Sequence, residues 1–206
     1  MCGRYVITNA VSKTSKIVKT AIKVEDSENY NAHPYQKLPV IKKYNNGNTL
    51  ENLKWGIVPS WAKKKDFKPL INARLETIDE KVSFKKLIKL HRCVAVADGF
   101  YEWKRIEKEK TPYYFLREDK KLIYIAGIYE EDQFCMITEE ASSNVTEIHH
   151  RQPVILNESD VNKYLNIEIS GSNYLKQSQK SKLSFYEISK DVNKPTNNNI
   201  SLIQPI

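Results

Sequence analysis

Residue 2 of this chain is a cysteine with only Met1 ahead of it, and a side chain that small in second position permits removal of the methionine. The terminus so exposed would carry an amine and a thiol on adjacent carbons. An aldehyde meeting that pair condenses with the amine to an imine, and the thiol then closes onto the imine carbon to give a five-membered thiazolidine. Neither group alone reaches that product. Ordinary pKa values of about 8 for an α-amino group and about 8.5 for a thiol leave both partly deprotonated near neutral pH. A lone Cys2 is most simply an ordinary second residue, so the chemical reading depends on the rest of the chain.

Four further segments place polar residues where a purely structural sequence puts apolar ones. In Trp55-Gly56-Ile57-Val58-Pro59-Ser60-Trp61, a strand ending in a turn, Trp55 is most simply core. Trp61 stands before the run Lys63-Lys64-Lys65 and is either core or a stacking platform for an unpaired base. In Asn72-Ala73-Arg74-Leu75-Glu76-Thr77, Asn72 and Arg74 share one face of an extended segment. That gives an amide to orient an amine and a guanidinium to fork onto a phosphate, although Arg74 can equally pair with Glu76. The run Arg92 to Trp103 carries an apolar strand through Asp98-Gly99 into Tyr101-Glu102-Trp103. A carboxyl between two aromatic rings is a candidate for a raised pKa and proton transfer near neutral pH; the alternative is a surface pair with Lys104 or Arg105. In Ile148-His149-His150-Arg151-Gln152-Pro153, a histidine can exchange protons and Arg151 can hold a phosphate. Paired histidines also suggest metal, but neither HExxH nor Cys-His spacing accompanies them, and no metal or cofactor is expected.

The elements that must position these groups read as α+β. Helical spacing predicts helices over 9–22 and 79–90, the second capped by Thr77 or Asp79, and a third from Asn157 to Leu165. Strands are expected at Cys93–Ala97, Tyr113–Leu116, Leu122–Ile128, Phe134–Thr138, Pro153–Leu156 and Leu183–Ile188. The Asn-rich stretch 193–199 reads as a loop before a last short strand, Leu202–Ile206. The 206 residues suffice for one buried core, and no linker divides them, so 1–206 is expected to be one domain. Apolar runs are too short for a membrane span, no secretory stretch follows Met1, and Cys2, Cys93 and Cys135 form no even framework. A cytoplasmic protein with free thiols is expected. Its formal charge of +8, with ten basic residues against four acidic ones between Trp61 and Arg92, favours a polyanionic partner, though a solvated lysine-rich face has the same composition.

Taken in order, MCGRY, WGIVPSW, NARLET, ADGFYEW, AGIYE (Ala126–Glu130), the stretch Ile137–Ala141 and IHHRQP closely resemble the SOS response-associated peptidase family, whose members crosslink to abasic sites in DNA. The resemblance runs over nearly the whole chain. It implies a single α+β domain with a barrel-like β core and flanking helices, a monomer with a basic groove for single-stranded DNA, and association with the nucleoid when DNA is damaged. It further implies that Cys2 joins the ring-opened aldehyde through its amine and then its thiol, that Asn72 positions the amine, that Glu102 moves protons, and that His149 assists sugar opening. Arg4, Arg74 and Arg151 would hold phosphates and Trp61 a neighbouring base. Three positions depart from the family pattern: His33 within Asn31-Ala32-His33-Pro34, Val96 where many members have Pro, and Gln152 where most have Met. Two other classes stay open, a thiol (auto)peptidase or amidase using Cys2 and a non-covalent single-strand binding module, and the crosslinking reading leaves room for lyase action on the same aldehyde.

Overall fold

In the computed structural model, which describes residues 2–44, 47–62 and 66–206, the strand-rich composition becomes two sheets. The first half of the chain supplies β1 (Tyr5–Thr8), α1 (Ala10–Thr14), β2 (Thr20–Ile22), β3 (Glu28–Ala32), β4 (Lys37–Tyr44), β5 (Gly47–Trp55), β6 (Asn72–Arg74), α2 (Leu87–Leu90) and β7 (Arg92–Ala97). The second half adds β8 (Gly99–Ile106), β9 (Glu109–Arg117), β10 (Ile123–Glu130), β11 (Gln133–Glu140), β12 (Arg151–Pro153), β13 (Ile155–Leu156), α3 (Glu158–Leu165), α4 (Gly171–Gln177) and β14 (Leu183–Glu187).

The larger sheet closes on itself. β5, β4, β7, β10 and β11 are successive antiparallel neighbours, and β11 returns to β5 in parallel at Gln133↔Lys54 and Phe134↔Trp55. The expected barrel-like core is this ring. β7, buried at every residue, is a central strand covered on both faces, which is why it reads as an unbroken apolar run. Trp55 is fully buried, stacks near Phe134 with centroids 6.2 Å apart, and donates its indole N–H to Ile71 C=O at 2.9 Å.

The second sheet runs β14-β9-β8-β1-β3. One face packs Phe100 on Phe115, with centroids 5.0 Å apart, within the barrel's core cluster. The other buries Val6, Tyr30, Tyr101 and Tyr114 against Ile188, Val192 and Leu202 of the C-terminal turns. β1 therefore lies in the middle of a sheet, and its preceding residues are carried to the barrel's edge.

The helical expectations shrink. Residues 9–22 give only the five-residue α1, entered from Asn9 in the left-handed region (φ 50°), before the chain extends into β2. Residues 79–90 form turns until α2 begins at Leu87. The third helix holds as α3, with Asn157 at the cap position but its amide bonded to Asp160 Oδ2 at 3.3 Å. The last segment is a 3-10 turn, Ile200–Ile203, followed by a single bridge from Pro205 to Ile188. Among the described residues no helix is long and apolar enough to cross a membrane.

Because Trp55 links the ring to the segment before β6, Trp55→Ala should cost about 3–5 kcal/mol of unfolding free energy, as for a large buried aromatic. Urea unfolding followed by circular dichroism reads this; a loss below about 1 kcal/mol would show that the ring does not depend on the indole.

Candidate active site

A chain terminus ordinarily frays, but here β1 is pinned on both edges. Tyr5 pairs with Ala32 on one side and Phe100 on the other, Val6 pairs with Gly99, and Tyr101 N–H donates to Arg4 C=O at 3.0 Å. The same register carried back sets residues 2 and 3 beside Glu102 and Trp103. Cys2 is fully buried. Asn72 reaches it from the barrel side, because β6 lies parallel to β11 through Met136↔Asn72 and Thr138↔Arg74. Its Nδ2 donates to Cys2 C=O at 2.9 Å, while its own Oδ1 is buried and accepts no hydrogen bond among the described residues.

Glu102 is 3% exposed, and burial raises its carboxyl above the ordinary value. His149 follows the turn Ser143–Glu147, and its Nδ1 stands 3.9 Å from Glu102 Oε1. The same nitrogen lies 3.0 Å from the Arg151 amide and 3.1 Å from the Arg151 carbonyl. When neutral it can accept from the amide; when protonated it can donate to the carbonyl and face the carboxylate. Burial lowers the His149 pKa, so the neutral, proton-accepting form is favoured. The Cys2 thiol is pushed up to about 12, first by burial and then by the Glu102 charge. Four of the residues singled out in the sequence, Cys2, Asn72, Glu102 and His149, thus come from β1's lead-in, β6, β8 and the loop before β12 to one place.

The proposed phosphate contacts divide. Arg4 Nη1 donates to Asn31 Oδ1 at 2.6 Å and to Val192 C=O at 2.8 Å, so this guanidinium ties the terminus to the C-terminal turns. Asn31 completes the tie by donating to the carbonyls of Lys194 and Asn197 at 3.1 and 2.8 Å. Glu76, the simple sequence partner for Arg74, is taken by Arg151 in a two-pronged pair at 2.8 and 2.9 Å. Arg151 is consequently 6% exposed, whereas Arg74 is exposed beside Glu140, Thr146 and His150 in a shallow hollow of about 440 Å³. Trp61 is 57% exposed with Phe67 edge-on at 5.8 Å. Lys63, Lys64 and Lys65, like Met1, lie outside the described residues.

A second hollow, about 280 Å³, is lined by Arg4, Glu102, Trp103, Arg105, Lys110 and His149 among others. The two hollows adjoin through His149 and His150, whose rings stack 4.5 Å apart. Arg105 and Lys110 were not singled out as site residues. They face one another across the β8–β9 hairpin, an arrangement of like charges that is unfavourable without an anion nearby. That signal is readable only once the hairpin register is known. Of the three departures from the family pattern, Val96 is simply core. Gln152 is buried in a polar network, accepting from Ser142 N–H at 3.1 Å and donating to Glu139 at 3.1 Å. His33 N–H donates to Gln36 Oε1 at 3.2 Å. Among the described residues no three His, Cys, Asp or Glu side chains gather as a metal site requires.

A raised Glu102 pKa means that the folded chain holds this proton more tightly than the unfolded chain. Its stabilising contribution is full below the ordinary value of about 4.3 and is lost as pH rises through the folded value. Glu102→Gln should therefore raise unfolding free energy near pH 8 by roughly 0.5–2 kcal/mol, with the gap to wild type closing toward about pH 4. Urea titrations at both pH values read this, and a gap independent of pH would show that the charge is not its source.

The profile of the SOS response associated peptidase (SRAP) family matches residues 1–195. The chain is 32% identical over 222 residues to the abasic site processing protein YoqW of Bacillus subtilis, covering 99% of each. It is 29% identical over 230 residues to the abasic site processing protein YedK of Escherichia coli, covering 100% of each. In three dimensions it resembles a protein from Bacteroides thetaiotaomicron, with a TM-score of 0.84 at 23% identity over 100% of both chains, a likeness of fold.

Proposed function

The chain belongs to the SOS response associated peptidase family, and on that premise we propose that it captures the open aldehyde of an abasic site in single-stranded DNA as a thiazolidine on Cys2, once Met1 is removed. The observation that carries this reading is the Asn72 amide. Its nitrogen holds the Cys2 carbonyl, and its buried oxygen is left without a donor. A terminal amine on Cys2 supplies such a donor, and accepting its N–H aims the nitrogen lone pair outward. An unsatisfied buried acceptor costs about 1–3 kcal/mol, so the site favours the species that fills it.

The order of events follows from protonation. A thiol held near 12 is a poor first nucleophile, so the amine attacks first. The carbinolamine loses water as Glu102, whose affinity for a proton is raised by its burial, gives a proton to the leaving hydroxyl. The thiol then adds to the imine carbon, passing its proton to the carboxylate, and the net change is the loss of one water. His149, neutral and 3.9 Å from Glu102, takes the proton of the sugar's C1 hydroxyl and returns it to the ring oxygen that leaves C1 as the ring opens, so that no net proton is gained or lost. Holding amine, thiol and aldehyde together supplies roughly 7–11 kcal/mol in well-oriented systems. Thiol peptidase chemistry needs a lowered thiol pKa, the opposite of the direction here.

Phosphate contacts position a strand without reading its sequence, which suits a protein seeking a missing base. Arg74, Arg105 and Lys110 are the exposed cations for this purpose, with Trp61 as an outlying platform for a base. Arg4 and Arg151 act chiefly by shaping the site, and Arg151 meets a phosphate only along the edge that Glu76 leaves. Residues 1–206 act in this reading as one monomeric domain that meets damaged DNA at the nucleoid.

An oligonucleotide with one abasic site should give a denaturation-resistant adduct with wild type and none with Cys2→Ala or with a residue added ahead of Cys2. Glu102→Gln should slow adduct formation by roughly 100-fold or more, the scale of general acid–base catalysis, with DNA affinity nearly unchanged. An adduct on Cys2→Ala would overturn the proposal, and an unchanged rate for Glu102→Gln would remove Glu102 from it. Arg74→Ala should weaken binding and reduce the log–log salt slope by about 0.7, the value for one phosphate contact on a single strand. An unaltered slope, read by fluorescence anisotropy, would take Arg74 off the strand.

A further inference from the structure

A cleft larger than either of these hollows lies elsewhere. About 830 Å³ in volume, it lies between α1, the turn from β9 to β10, the start of α3 and the C-terminal turn, and neither Cys2, Asn72, Glu102 nor His149 lines it. It belongs to the other face of the five-stranded sheet. Glu102 pairs across strands with Tyr113, whereas the alternate pair is Tyr101 with Tyr114, and side chains of successive residues point to opposite faces.

Five cations line this cleft, Lys13, Lys16, Arg117, Lys120 and Lys121, against the carboxylates of Asp98 and Glu158. Lys13 is matched by Asp98 at 2.5 Å, and Arg117 by Asp119 at 2.7 Å. Among the described residues Lys16 and Lys120 have no acidic partner within 4.0 Å. Lys120 is also held in the left-handed region (φ 56°), which disfavours a side chain of its type.

The floor carries an unspent donor. Of the cleft's tyrosines, Tyr124 donates to Glu158 at 3.0 Å and Tyr186 to Ile203 C=O at 2.7 Å. Tyr114, only 4% exposed, makes no side-chain hydrogen bond among the described residues. A Cβ on Gly99 would stand 2.4 Å from the Tyr114 hydroxyl oxygen, so the absence of a side chain there is what lets the phenol lie where it does. Leu116, Leu122 and Ile203 give the same cleft an apolar wall.

We propose that this cleft binds a nucleoside phosphate, free or as one unit of a strand, with the phosphate against Lys16 and Lys120, the ring against the apolar wall, and a polar edge accepting from the Tyr114 hydroxyl. The volume falls within the range of small-molecule sites, about 300–1,000 Å³. The cations select the anion, and the wall together with a buried hydroxyl selects a ring bearing acceptors over a bare phosphate.

Titration of thymidine monophosphate, thymidine and a short oligothymidylate into isotope-labelled protein, read by amide chemical shifts, tests this. The monophosphate should shift residues of α1, the Lys120 turn and the Ile203 segment, and thymidine should bind at least about tenfold more weakly. A Lys16→Ala, Lys120→Ala double variant, at exposed positions, and Tyr114→Phe should each weaken the monophosphate by roughly five- to tenfold or more, a loss at least on the scale of one ordinary hydrogen bond. Binding here by the oligothymidylate alone supports the strand as the source, and binding by both supports the free nucleotide. Shifts from neither, shifts confined to the surroundings of Glu102 and His149, or an unchanged affinity in the double variant would overturn the proposal.

Discussion

A reactive terminus has to be held still without being blocked, and the hydrogen bond from Asn72 to the Cys2 carbonyl is where this fold meets that constraint. It joins two sheets. Cys2 is the lead-in to β1, an interior strand of the five-stranded sheet, whereas Asn72 belongs to β6, laid along β11 of the closed ring. Were the ring to lose its parallel seam, β6 would lose its seat and the amide its aim. The core packing of Trp55 and Phe134 at that seam is thus connected, through a chain of named contacts, to the placement of the α-carbon that bears the nucleophiles.

Dryness sets the chemistry at this point. The same exclusion of water raises the thiol, raises the Glu102 carboxyl and lowers the His149 imidazole, each away from its charged form. A site in which all three partners tend toward neutrality exchanges protons over short paths with little reorganisation, and it costs the fold stability that a wetter arrangement would not. Around this dry centre charge is distributed by role. Arg4 and Arg151 are fastened to Asn31 and Glu76 and shape the walls, while Arg74, Arg105 and Lys110 remain exposed.

The sequence was most legible where apolar runs were long. Cys93–Ala97, Leu122–Ile128 and Phe134–Thr138 all lie in strands of the ring, give or take an end residue, because a buried central strand needs an unbroken apolar run. It was least legible where local spacing competed with sheet pairing. Residues 9–22 carry helical spacing, yet the edge of β5 recruits Thr20–Ile22 as a parallel strand, a tertiary demand that no local pattern records. Lys- and Asn-rich β4 and β5 lacked the composition of strands and owe their form to the ring. Among site residues, polar groups in apolar surroundings pointed to Asn72, Glu102 and His149, and the family resemblance supplied their roles. What could not be read was which arginine takes Glu76, since Arg74 and Arg151 differ only in which one the β11–β12 pairing turns inward.

The account stands on the identity of the atoms that meet the aldehyde. Peptide mapping by tandem mass spectrometry, after reaction with an abasic oligonucleotide and nuclease digestion, reads this directly. The account predicts a modified peptide that begins at Cys2, carries the sugar remnant, and weighs one water less than the sum of its parts, without any added reductant. A remnant on a lysine, or on a peptide that still begins with Met1, would contradict it.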